Sequence, residues 1–356
     1  MEIVYSVAEL ERYMHEAVKV DPTQPVLIDK FLDSATELDV DALADSEGNV
    51  VIGGIMEHIE RAGVHSGDSA CSIPTATVPQ AALRRIREWV PQIARELGVV
   101  GLINLQFAVR NDEAFIIEAN PRASRTVPFV AKAVGHPLAK YASLVMSGQT
   151  LPSLGFTEEP LPSHYAVKEA VLPFDKFPGA DTLLGPEMRS TGEVMGIDKD
   201  FTVAYCKAQI AAGQRIPTSG TVFVSVRDFD KGALVPVARR LLELGLDLVA
   251  TGGTASYLRQ QGNGLEQVQS VYKIHEGRPH IGDMVRNAEV DLMIITAGTD
   301  EKDQMDGRDL RRMAVLLKVP IVTTMAGASA TAEAAAALQG GNFEVLTLQS
   351  FFSPVA

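Results

Sequence analysis

The chain has 356 residues, enough for two or three domains that each bury a core of their own. Hydrophobic residues make up 46% and charged residues 22%, which excludes a disordered chain. The net charge of -13 excludes general binding to nucleic acid or to an anionic membrane surface, because both need a concentrated basic face.

The two cysteines, Cys71 and Cys206, lie far apart without metal-ligand spacing, which fits a reducing, cytoplasmic setting and gives no disulfide framework. No apolar run approaches the roughly 18 residues of a membrane span, and MEIVYSVAELERYMHEAV lacks the basic start and apolar middle of a signal peptide. MEIVY opens as a strand, so the domain reads as the continuation of something upstream. Ser6 to Glu9 is a capping-box pattern that starts a helix with Val7, Leu10, Tyr13, Met14 and Val18 on its apolar side. PVLIDKFL at 25–32 reads as a strand, and 36–60 as two strands around a turn at Asp45 to Asn49. GVHSGDS at 63–69 is a loop of small residues. TVPQAALRRIREWVPQIARELG is an amphipathic helix whose stripe is Leu83, Ile86, Trp89, Val90, Ile93 and Leu97, with Gly98 as its stop.

The stretch LINLQFAVRNDEAFIIEANPRASRT, 102–126, reads as a hairpin. A three-residue loop, Asn111 to Glu113, pairs Arg110 with Ala114 and carries the register to Gln106 opposite Glu118 and Asn104 opposite Asn120. These four then share one face, and Leu105, Phe107, Val109, Phe115 and Ile117 share the other, which reads as core. A carboxylate beside amide carbonyls, with no Cys or His nearby, is a hard-oxygen set suited to Mg²⁺ or Mn²⁺ bridging to substrate phosphates. Arg122 and Arg125 follow with forked donors for those phosphates. The same pattern also describes a solvated face of an amphipathic hairpin with a basic loop behind it, and a four-residue loop would slip the register by one.

From about 151 the chain turns rich in Pro and Gly, which reads as irregular, ordered loops over a core. After GQRIPTSG, 213–220, the pattern changes: TVFVSV, LDLVAT, QVQSVY, DLMIIT and PIVTT alternate with helical stretches, which predicts a parallel sheet covered on both faces. At one strand end stands TGGT, Thr251 to Thr254, a turn able to expose amides to a phosphate, with Lys231 and Lys273 near other strand ends. A plain tight turn and two solvated lysines are the alternative.

Long strings then carry a resemblance: GGIMEHIERAGVHSGDSACSIP, INLQFAVRNDEAFIIEANPRASRTVPFVAKAVG, KFPGADTLLGPEMRSTGEVMGID and HEGRPHIGD. Over essentially its whole length the chain resembles the carboxyl-terminal portion of the carbamoyl phosphate synthase large subunit. The resemblance implies an α/β protein: residues 1–215 a partial ATP-grasp domain (α+β, an antiparallel sheet with helices) and its extension, and 216–356 a Rossmann-like, parallel-sheet, methylglyoxal-synthase-like regulatory domain. It implies ATP- and metal-dependent phosphorylation of carbamate for arginine and pyrimidine biosynthesis. Gln106, Glu118 and Asn120 resemble the ligands of the Mg²⁺ or Mn²⁺ ions on ATP, Arg122 a phosphate-contacting arginine, and Arg125 its helper. Lys30 and Leu32 match positions at the adenine edge, Glu37 the ribose carboxylate, and Gly63, Val64, His65 and Ser66 the loop that closes over the nucleotide. His65, without the resemblance, reads as an ordinary loop histidine, and Lys30 stands where the best-known member of the family has His, which matters little for a contact made by backbone.

Lys231, Thr251, Thr254 and Lys273 match an effector-phosphate pocket for UMP or IMP, although Thr296 and Gly298 replace polar residues used for base and ribose. Arg278 stands where a lyase of this fold has its carboxylate, which favours sensing over turnover. Glu60, Asp68, Glu169 and Thr323 match an ornithine site, with Ile321 in place of its tyrosine. The implied partners are the remaining amino-terminal part of the large subunit and the glutaminase small subunit. The family's Gly-rich lid would lie upstream of Met1, so the resemblance implies a split-subunit piece or a truncation, inactive alone. The alternative is a regulatory nucleotide-binding module without turnover of its own.

Overall fold

A computed structural model describes residues 4, 6–18, 25–32, 35–177, 180–296, 301–341 and 343–352. After helix α1 (Val7–Val18) come strands β1 (Thr36–Ala44) and β2 (Val50–Arg61), joined by a turn in which the Asp45 carboxylate accepts the Glu47 and Asn49 amides, each at 3.0 Å. Next are β3 (Cys71–Ile73), helix α2 (Gln80–Glu96), the hairpin of β4 (Gly101–Arg110) and β5 (Glu113–Asn120), and helices α3 (Val127–Val134) and α4 (Leu138–Met146). Strands β6 (Tyr165–Val171) and β7 (Gly192–Asp198) and helix α5 (Phe201–Ala211) follow. The seven strands are antiparallel, in the order β5-β4-β1-β2-β3-β6-β7.

Strand period sorts the residues of this sheet. Leu38, Val40 and Ala42 of β1 join Ile103, Leu105, Phe107 and Val109 of β4 beneath Leu83, Ile86 and Val90 of α2. Burying a side chain such as Phe107 or Ile86 contributes about 1.5–3 kcal/mol. Leu43, Val51 and Met56 face the other way, under α3 and α4. Glu37, Asp39 and Asp41 alternate with the α2-facing residues, so a polar strip runs along β1 on the face turned away from α2, the face that Leu43 continues under α3 and α4.

The hairpin turn is tighter than the expected three-residue loop. Asn111 and Asp112, at φ 51° and 65°, form a two-residue turn whose twist matches the strands, and Arg110 pairs with Glu113 rather than Ala114. A bulge opposite the step from Gln106 to Phe107 then inserts Ile117 and restores the register, so that Gln106 faces Glu118 and Asn104 faces Asn120. Between turn and bulge the β5 side chains are shifted by one. Phe115 therefore lies opposite Ala108, and Phe115 and Ile117, expected in the core, are 38% and 50% exposed.

Three other expectations need correction. Residues 25–32 form no strand: the segment opens on Pro25, which has no N–H to give a ladder, and Leu27 is 83% exposed. The stretch after 151 contains β6, β7 and α5, the last capped by the Asp200 carboxylate on the Thr202 and Val203 amides at 2.8 and 3.1 Å. Leu97 lies past the end of α2 and is exposed rather than part of its stripe. Of the strand expected in MEIVY, residues 1–3 and 5 lie outside the described residues, and Val4 is in no strand.

The second unit runs β8 (Thr221–Ser225), α6 (Lys231–Glu243), β9 (Asp247–Thr251), α7 (Gly252–Gln260), β10 (Gln269–Val271), α8 (Ile281–Arg286), β11 (Leu292–Ile295), α9 (Glu301–Leu317), β12 (Ile321–Val322) and α10 (Met325–Gln339). Its five strands are parallel, in the order β10-β9-β8-β11-β12. Val222 and Val224 pack under α6, α7 and α10, while Phe223, Met293 and Ile295 pack under α8 and α9, so both faces are covered. The strand order reverses between β8 and β11, and in open parallel sheets a crevice forms at the carboxyl ends of the strands at such a reversal. The two units meet where Ala204, Tyr205 and Ala208 of α5 pack on Ala330, Ala334 and Ala335 of α10. No helix among the described residues is long and apolar enough to cross a membrane.

Candidate active site

A cleft of about 1890 Å³ follows the polar face of the antiparallel sheet and continues to the carboxyl ends of the parallel strands. That exceeds the roughly 300–1,000 Å³ of a single small-molecule site. Both groups of sequence-predicted residues line it: Lys30, Leu32, Glu37, Glu60, Gly63 and Val64 on one side, and Lys231, Thr251, Thr254, Lys273 and Thr323 on the other. Gln106 and Glu118 are not among its lining residues, but they continue the face that Ala108 and Phe115 present to it.

The hairpin register brings the oxygen set together. Asn120 Nδ2 donates to Glu118 Oε1 at 2.7 Å, and Gln106 Nε2 donates to Ser66 Oγ at 3.4 Å. The second Glu118 oxygen and the amide oxygens of Gln106 and Asn120 accept no hydrogen bond among the described residues, which leaves one anionic and two neutral oxygen donors with no thiolate or imidazole in the set. Such donors fit a hard divalent cation. Arg122 follows on the same strand end, its amide bonded to Asn120 O at 2.8 Å and its exposed guanidinium resting on Ala123 O at 3.1 Å. Arg125, also exposed, lies with its guanidinium against Met188 Sδ.

Sequence reasoning missed the buried half of this strip. Asp39 stands across from Gln106, and Asp41 across from Asn104, so Glu118 is not the lone carboxylate of its face. Asn104 Nδ2 donates to Asp39 at 3.2 Å and to Asp41 at 3.0 Å, and Asp41 also accepts from Ser124 Oγ at 2.8 Å and Thr126 Oγ1 at 2.7 Å. His58, buried on β2, lies 2.8 Å from Asp39 through Nε2 and 3.5 Å from Glu37 through Nδ1. Burial pushes the Asp39 carboxyl up, but the hydrogen bond and charge of His58 outweigh it and hold it below the usual range. Burial likewise opposes charge on His58, yet Cys71, Asp39 and Glu37 together raise it well above an ordinary histidine. Asp41 is pushed up to about 6 by burial, against its three side-chain donors. The alternation Glu37-Leu38-Asp39-Val40-Asp41-Ala42 was the available signal, since acids at every second position of an inner strand must find partners.

The 63–69 loop is fastened at several points. Gly63, at φ 101°, donates its amide to Glu37 Oε1 at 3.0 Å, so the carboxylate expected at a ribose already orders the loop. Lys168, fully buried, donates through Nζ to Ser66 O at 3.0 Å. His65 donates its amide to Gly185 O at 2.8 Å and accepts the Gly67 amide on Nδ1 at 3.0 Å.

Two family models match the chain: the carbamoyl-phosphate synthase L chain ATP binding domain over residues 1–154, and the MGS-like domain over 233–323. A carbamoyl phosphate synthase large chain of Methanosarcina barkeri is 52% identical over 350 residues, covering 98% of this chain and 86% of that protein. The chain belongs to the carbamoyl phosphate synthase large chain family. It is also 59% identical to the large chain of Synechocystis and 58% identical to the arginine-specific, chloroplastic large chain of rice, covering 99% of this chain but only 32% and 30% of theirs. It thus spans about a third of the length of these two curated relatives and corresponds to their carboxyl-terminal part. The antiparallel sheet is the family's ATP-grasp-like sheet, and the five parallel strands are its MGS-like domain.

In the MGS-like domain, α7 begins directly at Gly252, so TGGT is a strand end running into a helix N-terminus rather than a free turn. Thr251 Oγ1 lies 3.3 Å from Ser225 Oγ and 3.4 Å from Thr254 Oγ1. Lys231 pairs with Asp228, and Lys273 with Asp303, each at 2.6 Å, so an incoming anion must compete with two carboxylates. Thr296 accepts the Arg227 amide at 3.0 Å; Gly298 lies outside the described residues.

Of the four residues matched to an ornithine site, Glu60 lies near enough to Glu169 for its charge to act on it, whereas both Asp68 oxygens are taken by the Arg189 and Ser190 amides at 2.8 Å each. Burial and the neighbouring Glu60 charge push Glu169 up to about 8, against Lys168 and a Gln209 donor. A carboxyl raised in the folded state adds stability that is complete below its unfolded pKa, near 4.5, and is lost as pH rises through about 8. Glu169→Gln, permanently neutral, is expected to flatten the fall of melting temperature between pH 6 and 9. Equal slopes in the two proteins would show that Glu169 is not protonated at neutral pH.

Proposed function

We propose that this chain provides the nucleotide-binding sheet face and the effector-sensing domain of a carbamoyl phosphate synthase, in which ATP phosphorylates carbamate for arginine and pyrimidine biosynthesis. The observation that carries this reading is the oxygen set of Gln106, Glu118 and Asn120, with Arg122 directly behind it. These three residues would hold Mg²⁺ or Mn²⁺, which supplies charge neutralisation at the phosphates. Arg122 and Arg125 would orient the γ-phosphate for in-line attack by a carbamate oxygen, with ADP as leaving group, so no protein nucleophile is required. Glu37 faces the ribose, the backbone of Lys30 and Leu32 meets the adenine edge, and the loop from Gly63 through Val64 and His65 to Ser66 closes over the nucleotide.

The proposed partners are the remainder of the large chain and a glutaminase small subunit. UMP or IMP is the proposed effector at Lys231, Thr251, Thr254 and Lys273. Ornithine at Glu60, Asp68, Glu169 and Thr323 is supported chiefly by the neighbouring carboxyl groups of Glu60 and Glu169. A cytoplasmic setting is proposed from the charge and the two free, buried thiols; the rice relative is chloroplastic.

The test is a chimera in which this chain replaces the corresponding third of the Synechocystis large chain. It is expected to form carbamoyl phosphate from ATP, bicarbonate and ammonia, whereas residues 1–356 alone form none. A chimera that assembles and binds UMP but yields no product would instead support the regulatory module.

A further inference from the structure

The segment between β6 and β7 is held by the parallel-sheet unit at one end and holds the nucleotide loop at the other. Arg311 of α9, a buried guanidinium, forks onto Asp181, with Nε to Oδ1 at 2.7 Å and Nη2 to Oδ2 at 2.8 Å. Arg308 adds its Nε at 3.7 Å. Burial raises the Asp181 carboxyl, but the Arg311 hydrogen bonds and charge outweigh it and hold it below the usual carboxylate range. Arg189 Nη1 donates to Asp181 O at 3.0 Å, which folds the segment on itself.

The same segment then grips the loop. Gly185 O accepts the His65 amide at 2.8 Å, Asp68 accepts the Arg189 and Ser190 amides, and Ser190 Oγ donates to Gly67 O at 2.9 Å. Near the start of α9, Asp303 pairs with Lys273 at 2.6 Å and Asp306 meets His275 Nδ1 at 2.8 Å. Asp303 and Arg311 are eight residues apart on one helix, about 12 Å at the helical rise. A packed helix moves as a unit, and a forked arginine fixes direction as well as distance.

We propose that Arg311 is a positioning residue: through Asp181 it holds the 180–190 segment, and with it the 63–68 loop, in the nucleotide-binding arrangement. An anion that takes Lys273 from Asp303 removes one of the ties at the start of α9, beside that of Asp306 to His275, and so changes that hold. This rests on reading the loop as nucleotide-closing and Lys273 as anion-binding. Reciprocity then requires that nucleotide at the loop alter anion affinity by the same factor.

Hydrogen exchange on residues 1–356, without ATP, tests it independently of turnover. In Arg311→Ala the 62–69 amides, His65 among them, should exchange about tenfold faster than in the wild type, while β4 and β11 are unchanged. Asp181→Asn should act alike, and the exchanged pair Asp181→Arg with Arg311→Asp should return the loop toward wild type. Faster exchange in both sheets would mean a merely structural role, and Arg311→Lys, which keeps the charge but not the fork, then serves as the milder variant with the loop again expected to loosen first. Wild-type loop exchange in Arg311→Ala overturns the positioning role. UMP is expected to change loop exchange in the wild type and not in Arg311→Ala. Slower exchange at 251–254 reports UMP binding itself, so bound UMP with an unaffected loop overturns the coupling, whereas no binding refutes only the anion-site reading.

Discussion

Glu118→Ala is expected to lower carbamoyl phosphate formation by the chimeric enzyme about a thousandfold or more, with the fold intact. The side chain is exposed, and its one hydrogen bond among the described residues is to Asn120, so little stability is at stake. Its removal leaves only the neutral amide oxygens of Gln106 and Asn120 for a divalent cation. Asp39 and Asp41 share the face but cannot replace it: both are buried, and their oxygens are engaged by Asn104, His58, Ser124 and Thr126. Glu113→Ala, at the exposed turn of the same hairpin, should leave the rate near wild type and so separates local from general charge effects. Wild-type turnover of Glu118→Ala with either Mg²⁺ or Mn²⁺ would remove the assignment, whereas a rate loss equalled by Glu113→Ala would reduce it to surface charge.

The pairing of Gln106 with Glu118 shows how the sequence was legible and where it was not. Alternation placed both residues on one face, but turn length and bulge are set by backbone twist, and the expected register held only because Ile117 compensates for a turn one residue shorter. Phe115 shows the cost, since between those two features it turned to the cleft. The parallel sheet was read nearly whole because each strand is a short apolar run bounded by helices, a pattern local in sequence. The strip of Asp39, Asp41 and His58 was not, because its members come from strands whose neighbours in space are up to 85 residues away in sequence. For the same reason the Asp181–Arg311 contact, spanning 130 residues, left no local signal.

UMP binding to the full chain is expected to weaken by tenfold or more in Lys273→Ala and in Lys231→Ala, and to vanish in the double variant. Thr251 and Thr254 bracket the start of α7, where unpaired helix amides favour an anion, and the two lysines bring the charge that those amides lack. In the free protein each lysine already has a carboxylate at 2.6 Å, so binding exchanges one ion pair for another. This predicts opposite signs for two neighbours. Lys273→Ala removes the attraction, whereas Asp303→Asn removes the competitor and should tighten UMP. Asp228 is almost fully exposed and its pairing with Lys231 is screened by water, so Asp228→Asn should change affinity less. Rising salt should weaken UMP and leave uridine nearly unaffected, because only the former is held through its phosphate. If UMP and uridine bind alike, or Asp303→Asn weakens UMP as Lys273→Ala does, the lysines and carboxylates hold the fold of α9 against β10 and the cleft takes its effector elsewhere.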